Sequence, residues 1–148
     1  MRLAPSAWSP RTRRVVQAVL YELMAIAVVG PVLALVFGES MASSLALAVV
    51  LSTIALSWNY VFNGLFERWE ARQPSGTRTL ARRVAHGAGF ELGLVFILTP
   101  VMALWLDTSL WQAFVTNLGL LVFFFVYAVV FTWCFDRAFG APASTLRP

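Results

Sequence analysis

The chain has 148 residues, of which 59% are hydrophobic and only 12% charged, about half the charged share of an ordinary soluble domain. The apolar residues are blocked into long runs instead of being spread at amphipathic spacing, which excludes a water-soluble globular domain and marks an integral membrane protein. All eleven basic residues are Arg, and the formal net charge of +4 speaks of topology and lipid headgroups, not of nucleic-acid binding.

In chain order, residues 1–13 carry Pro5, Ser6, Ser9, Pro10 and scattered Arg and are expected to form a mobile cytoplasmic tail, with Trp8 at headgroup level. The first span, about Val15–Phe37, is too long for a signal-peptide core and has no cleavage site after it. It carries Gln17, Tyr21 and Glu22 close to its start. Glu22 lies about two helical turns inside, where a carboxylate is costly and by default a candidate functional group. Ala18, Glu22, Ala25 and Val29 share a face, and Pro31 predicts a kink. After the turn at Gly38-Glu39-Ser40 comes the second span, about Ser43–Phe66, with a small and polar stripe at Ala48, Ser52, Ala55, Asn59 and Asn63. Asn59 and Glu22 both lie about 12 Å from the inner boundary at 1.5 Å per residue, so their side chains are expected to meet across a hairpin.

Residues 69–82 form a polar loop centred on Pro74-Ser75-Gly76. The third span, about Val84–Leu106, holds His86, Glu91 and Pro100, with Gly89 and Gly93 opposite Glu91 at a spacing that suits close helix contact. Trp105 and Trp111 bracket a second short turn as an interfacial belt. The fourth span, about Trp111–Phe135, is rich in Phe, with Tyr127, Thr132, Trp133 and Cys134 in its final half; Cys134, the single cysteine, reads as a packed thiol. The Arg residues all fall at the amino end (2, 11, 13, 14), at and around the middle loop (68, 72, 78, 82, 83) and at the carboxyl end (137, 147), which places both termini and the middle loop in the cytoplasm. The domain plan is therefore a 1–13 tail, a first pair at 14–68, a loop at 69–82, a second pair at 83–137 and a 138–148 tail.

The two pairs are copies. An offset of 69 residues matches Arg14 to Arg83, Glu22 to Glu91, Pro31 to Pro100, Phe62 to Phe131, Phe66 to Phe135, Glu67 to Asp136 and Arg68 to Arg137. Two crossings per unit make these parallel repeats, related by an axis along the membrane normal. The fold class is an all-α membrane protein of four transmembrane helices, arranged as two parallel-repeat hairpins.

Four ordered motifs carry a resemblance: Arg14, Tyr21 and Glu22; Trp58, Asn59, Asn63, Phe66 and Glu67; Arg83, His86, Phe90 and Glu91; and Tyr127, Phe131, Phe135 and Asp136. Together they span residues 13–139, and over that stretch the chain resembles the proteobacterial antimicrobial compound efflux family, built from a duplicated bacterial transmembrane pair. It departs from that pattern at Gln17, where His is common, and at Glu67, where Asp is usual. The resemblance implies export of cationic biocides such as chlorhexidine, acridine dyes and quaternary ammonium compounds, and of short diamines, from a bacterial inner membrane. It also implies energy from the proton gradient, with Glu22 as coupling residue.

Elementary chemistry permits such exchange. Loss of water penalises the charged form of a carboxyl group, so Glu22 is expected to hold a proton when facing an acidic outside, then release it and attract a cation when facing the cytoplasm. Tyr21, Trp58, Asn59, Phe62, Asn63 and Tyr127 are candidates for the substrate path, the aromatic ones through cation–π attraction. Glu91 is read either as a second coupling site or as a structural carboxylate bonded to His86 or a neighbouring helix, and the structural reading is favoured for both residues. Arg14, Arg83, Glu67 and Asp136 mark the membrane boundary. No catalytic order, metal box or phosphate loop argues for an enzyme, a metal or a cofactor. Expected partners are protons, cationic amphiphiles, lipid and a second copy of the chain; the competing class is a membrane scaffold that transports nothing.

Overall fold

The computed structural model describes residues 8–74 and 79–140; the remaining tail residues and residues 75–78, with Ser75 and Gly76 of the loop centre, lie outside the described residues. Among the described residues four helices follow one another: α1 (Pro10–Phe37), α2 (Met41–Ala71), α3 (Leu80–Trp105) and α4 (Leu110–Phe139). All four are long and apolar enough to cross a membrane.

Capping side chains fix where they begin. Ser9, Ser40, Thr79 and Ser109 each precede a helix and accept a hydrogen bond from the backbone N–H three residues on, which satisfies one of the donors every helix start leaves unpaired. The duplication reaches into the turns. Gly38 ends α1 with φ 68°, and Asp107, 69 positions later, has φ 47°; glycine reaches that left-handed region without penalty and Asp tolerates it.

The helices exceed the apolar runs at the end of the bundle that carries the chain termini. Residues 10–13, expected as mobile tail, form the first turn of α1, and α2 continues past Phe66 to Ala71. Hydropathy marks the lipid-crossing part, whereas caps and polar packing decide where a helix stops. Pro31 and Pro100 lie inside α1 and α3, and both helices continue through them.

The buried core fills the half of the bundle next to the two short turns. Leu33 and Leu51 from the first pair pack with Leu98, Met102, Leu106 and Ala113 from the second. Two polar ties accompany them: Asn117 Nδ2 donates to Thr99 Oγ1 at 3.3 Å, and Trp105 Nε1 donates to Ser43 Oγ at 3.1 Å. That end is closed.

α2 and α3 approach closely because α3 presents glycine. A Cβ at Gly93 would collide with the Trp58 indole, and one at Gly89 would crowd Phe62, so the two rings occupy space that only glycine leaves. The positions 69 residues earlier are Leu20 and Met24, and the backbones of α1 and α4 approach each other less closely. Outside, Leu35, Phe96 and Leu104 are almost fully exposed, as a lipid-facing surface requires. Trp105 and Trp111 are exposed at the turn end. Cys134 is exposed on α4 and is not the packed thiol its apolar neighbours suggest; a uniformly apolar stretch does not reveal which face meets lipid.

Candidate functional site

Between the core and the terminal end lies a cavity of about 540 Å³ walled by all four helices. Its lining repeats the duplication. Tyr21, Glu22, Ala25, Ile26 and Val29 of α1 reappear 69 positions later as Phe90, Glu91, Leu94, Val95 and Leu98 of α3. Ala48, Leu51, Ser52, Ala55 and Leu56 of α2 reappear as Asn117, Leu120, Leu121, Phe124 and Phe125 of α4. The pseudo-twofold axis of the repeat therefore runs through the cavity.

Its walls are mainly hydrocarbon, and the charged residues among them are Glu22 and Glu91. These two side chains differ in their partners. Ser52 Oγ donates a hydrogen bond to Glu22 Oε2 across the first hairpin. The matching position in the second hairpin is Leu121, and Glu91, which is exposed, has no hydrogen-bond partner among the described residues. A charged side chain at such depth costs about 3 kcal/mol; Ser52 offsets part of that for Glu22, and nothing described does so for Glu91.

The donor to Glu22 is thus Ser52, not the expected Asn59. The tight turn at Gly38–Ser40 sets the register of the hairpin and brings Ser52 level with Glu22, whereas Asn59 lies about two turns nearer the terminal end. Asn59 lines the cavity, and its Oδ1 accepts from Asn63 Nδ2 at 2.8 Å. Asn63 Oδ1 in turn meets His86 Nε2 at 2.7 Å. His86 therefore bonds Asn63 and not Glu91, since residues five apart on one helix point to different faces.

Aromatic donors tie the halves together beneath the cavity. The Tyr127 hydroxyl donates to the Tyr21 carbonyl at 2.8 Å, and Trp58 Nε1 donates to the Phe90 carbonyl at 3.0 Å. Donors and acceptors are both separated by 69 positions, so one interhelical bond is made twice. Tyr21 also packs on the Tyr127 and Phe131 rings, at 4.7 and 5.2 Å between centroids.

The predicted path residues consequently divide. Tyr21 and Asn59 line the cavity with Glu22 and Glu91. Trp58 and Phe62 face α3, with their ring centroids 5.3 Å apart in a tilted contact, and Phe62 makes a second tilted contact with His86 at 5.4 Å. Asn63 belongs to a shallow groove on α2 with Glu67 and Arg68, and Tyr127 reaches α1 instead of the cavity wall.

At the boundary, Arg14, Arg83 and Glu67 are exposed. Arg13, which sequence reasoning passed over, is buried: it pairs with Asp136 at 2.5 Å, donates to the Gly140 carbonyl at 3.0 Å and lies 5.0 Å from the Phe135 ring centroid. Its signal was Gln17, one turn on, whose Oε1 accepts from Arg13 at 3.4 Å. Ser52 was visible only as one member of a small-residue stripe. A register count from the turn at Gly38 would have singled it out.

The profile of the chlorhexidine efflux transporter (BTP) family matches residues 9–72 and again 78–141, the two repeats. Curated relatives described as short-chain diamines transporters come from Vibrio parahaemolyticus, 39% identical over 86% of this chain and 90% of the relative, and from Acinetobacter baylyi, 34% identical over 84% and 87%. A third, from Acinetobacter baumannii, is 31% identical over 84% of this chain and 86% of its own length. No solved structure matches the chain. With both repeats matched and a duplicated cavity inside four membrane-crossing helices, the chain belongs to the chlorhexidine efflux transporter family and is a multi-pass inner-membrane transporter.

Proposed function

We propose that the protein is a proton-coupled exporter of organic cations, taking chlorhexidine-like biocides, acridine dyes, quaternary ammonium compounds and short diamines, without chemical change to any of them. One observation carries this reading: Glu22, held by Ser52, is set in the wall of an apolar cavity deep within the helices. A proton and an organic cation compete for that carboxylate, and neither can cross the bundle with the other in place. Deprotonated Glu22 attracts the cation while the hydrocarbon walls take its apolar body. Protonated Glu22 releases it on the acidic side.

Both termini and the 69–82 region face the cytoplasm in this reading, as their Arg content directs. The closed core then lies toward the outside, and the cavity is set for loading from within. Two copies side by side would shield the exposed Glu91 flank from lipid. The test is dye export from proteoliposomes with and without a pH gradient. Wild type is expected to accelerate with the gradient, and Glu22→Gln to insert normally but show no acceleration. Gradient-driven export by Glu22→Gln equal to wild type would overturn the proposal.

A further inference from the structure

We infer that organic cations reach the cavity from the terminal end along one face of α2, the stripe Glu67, Asn63 and Asn59, and that Glu67 captures them at its mouth. This rests on the transport reading given above and adds to it a route and a residue that serves the route.

Side-chain contacts in the terminal half restrict the ways in. From Ser52 and Glu22 toward the termini, the described contacts between helices pair α1 with α4 and α2 with α3. Arg13 is joined to Asp136, and the Tyr127 hydroxyl to the Tyr21 carbonyl. Asn63 meets His86, and Trp58 donates to the Phe90 carbonyl. Ring contacts reinforce each pair, Phe131 on Tyr21 in the one and Phe62 on Phe90 in the other. The gaps left over are those within the hairpins, between α1 and α2 and between α3 and α4.

These two gaps differ. On α2 a groove of about 480 Å³ runs past Asn63, Gly64, Glu67 and Arg68 and shares Asn59 with the wall of the cavity. Groove and cavity therefore meet at that residue. Asn59, Asn63 and Glu67 follow at four-residue spacing and form one stripe, beside that of Tyr60, Gly64 and Arg68. Gly64 makes the room, since a Cβ there would meet nothing within 4 Å. In the second hairpin the same places are filled or engaged. Trp133 replaces Gly64 and lies 5.5 Å from the Arg137 guanidinium, Asp136 replaces Glu67 and is taken by Arg13, and Ala128 and Thr132 replace the two amides.

Glu67 is exposed and makes no ion pair among the described residues, so its charge is open to a cation arriving from water. The amide oxygens of Asn63 and Asn59 each accept one hydrogen bond or meet one ring nitrogen and keep a second lone pair, an acceptor for an ammonium on its way to Glu22. Arg68 stands on the neighbouring stripe, so the groove admits a cation without trapping it.

The test is stopped-flow binding of a cationic acridine dye to purified protein. Gly64→Trp, which gives α2 the ring that α4 carries, should slow association and dissociation each by at least about tenfold and leave their ratio within about twofold. Gly119→Trp, on α4 where a Cβ likewise meets nothing, should behave as wild type. Association unchanged in Gly64→Trp, or slowed equally in Gly119→Trp, would overturn the inference. Glu67→Gln does not depend on the first variant folding: its association rate should fall about threefold at about 20 mM salt and match wild type at about 0.5 M, as a screened charge requires. A rate equal to wild type at low salt, or a deficit that persists at high salt, counts against capture at Glu67. Equilibrium binding to Glu22→Gln separates the two claims. Dye bound there as tightly as by wild type defeats the transport reading and the route with it, whereas weakened binding there with Gly64→Trp unaffected defeats the route alone.

Discussion

The two halves of this molecule share a scaffold and differ in chemistry. Capping serines at Ser40 and Ser109, left-handed turn residues at Gly38 and Asp107, and ring-to-carbonyl bonds from Trp58 and Tyr127 all recur at an offset of 69. These features position helices, and duplication has kept them. The polar groups at the cavity diverge: Ser52 has Leu121 as its counterpart, Asn59 has Ala128, and His86 has Gln17. Architecture is symmetric, and the environment of the two carboxylates is not. One duplicated acid can then exchange protons while its twin does something else, which two identical sites could not.

The largest expected effect probes the scaffold. Gly93→Leu drives a side chain into Trp58 and should cost about 2–3 kcal/mol, whereas Met24→Leu at the matching place on α1 should cost under about 0.5 kcal/mol. Thermal unfolding in detergent separates them, and equal effects would erase the distinction between the two interfaces. Next comes the asymmetry of the acids. Ser52→Ala removes a hydrogen bond to a charged group, worth about 1.5 kcal/mol or tenfold. Gradient-driven export should fall by that factor and recover in Ser52→Thr.

A smaller effect contrasts neighbours at the boundary. Arg13→Ala leaves Asp136 half-buried without its partner and should cost about 1 kcal/mol after allowance for the partial exposure of the pair; Arg14→Ala, on the exposed side, should cost less than about 0.3 kcal/mol. Denaturation midpoints compare the two. Last, Tyr127→Phe removes only the hydroxyl bond to the Tyr21 carbonyl and should cost about 0.6 kcal/mol, the average for such bonds within membranes.

Much of the fold is legible in the sequence because lipid imposes a coarse and strong rule. Four apolar stretches long enough to cross give four helices, and the offset of 69 pairs them. Gly89 and Gly93 announce a close contact, which is where α2 packs. What hydropathy does not carry is rotation about each helix axis. Trp58 and Asn59 are adjacent in sequence, yet one faces α3 and the other the cavity, a difference of 100°. Arg13 and Arg14 present the same problem at the boundary. Register was legible in principle, since the turn at Gly38 fixes it, but counting from the diffuse inner boundary misplaced the partner of Glu22 by two turns.

The central claim is that a proton and an organic cation compete for Glu22. It is tested most directly by mixing weakly buffered, purified protein with a cationic dye at neutral pH and reading the proton released. Wild type and Glu91→Gln should each release protons on dye binding, and Glu22→Gln should release none. Binding of dye to wild type with no proton released, or undiminished release from Glu22→Gln, would contradict the account.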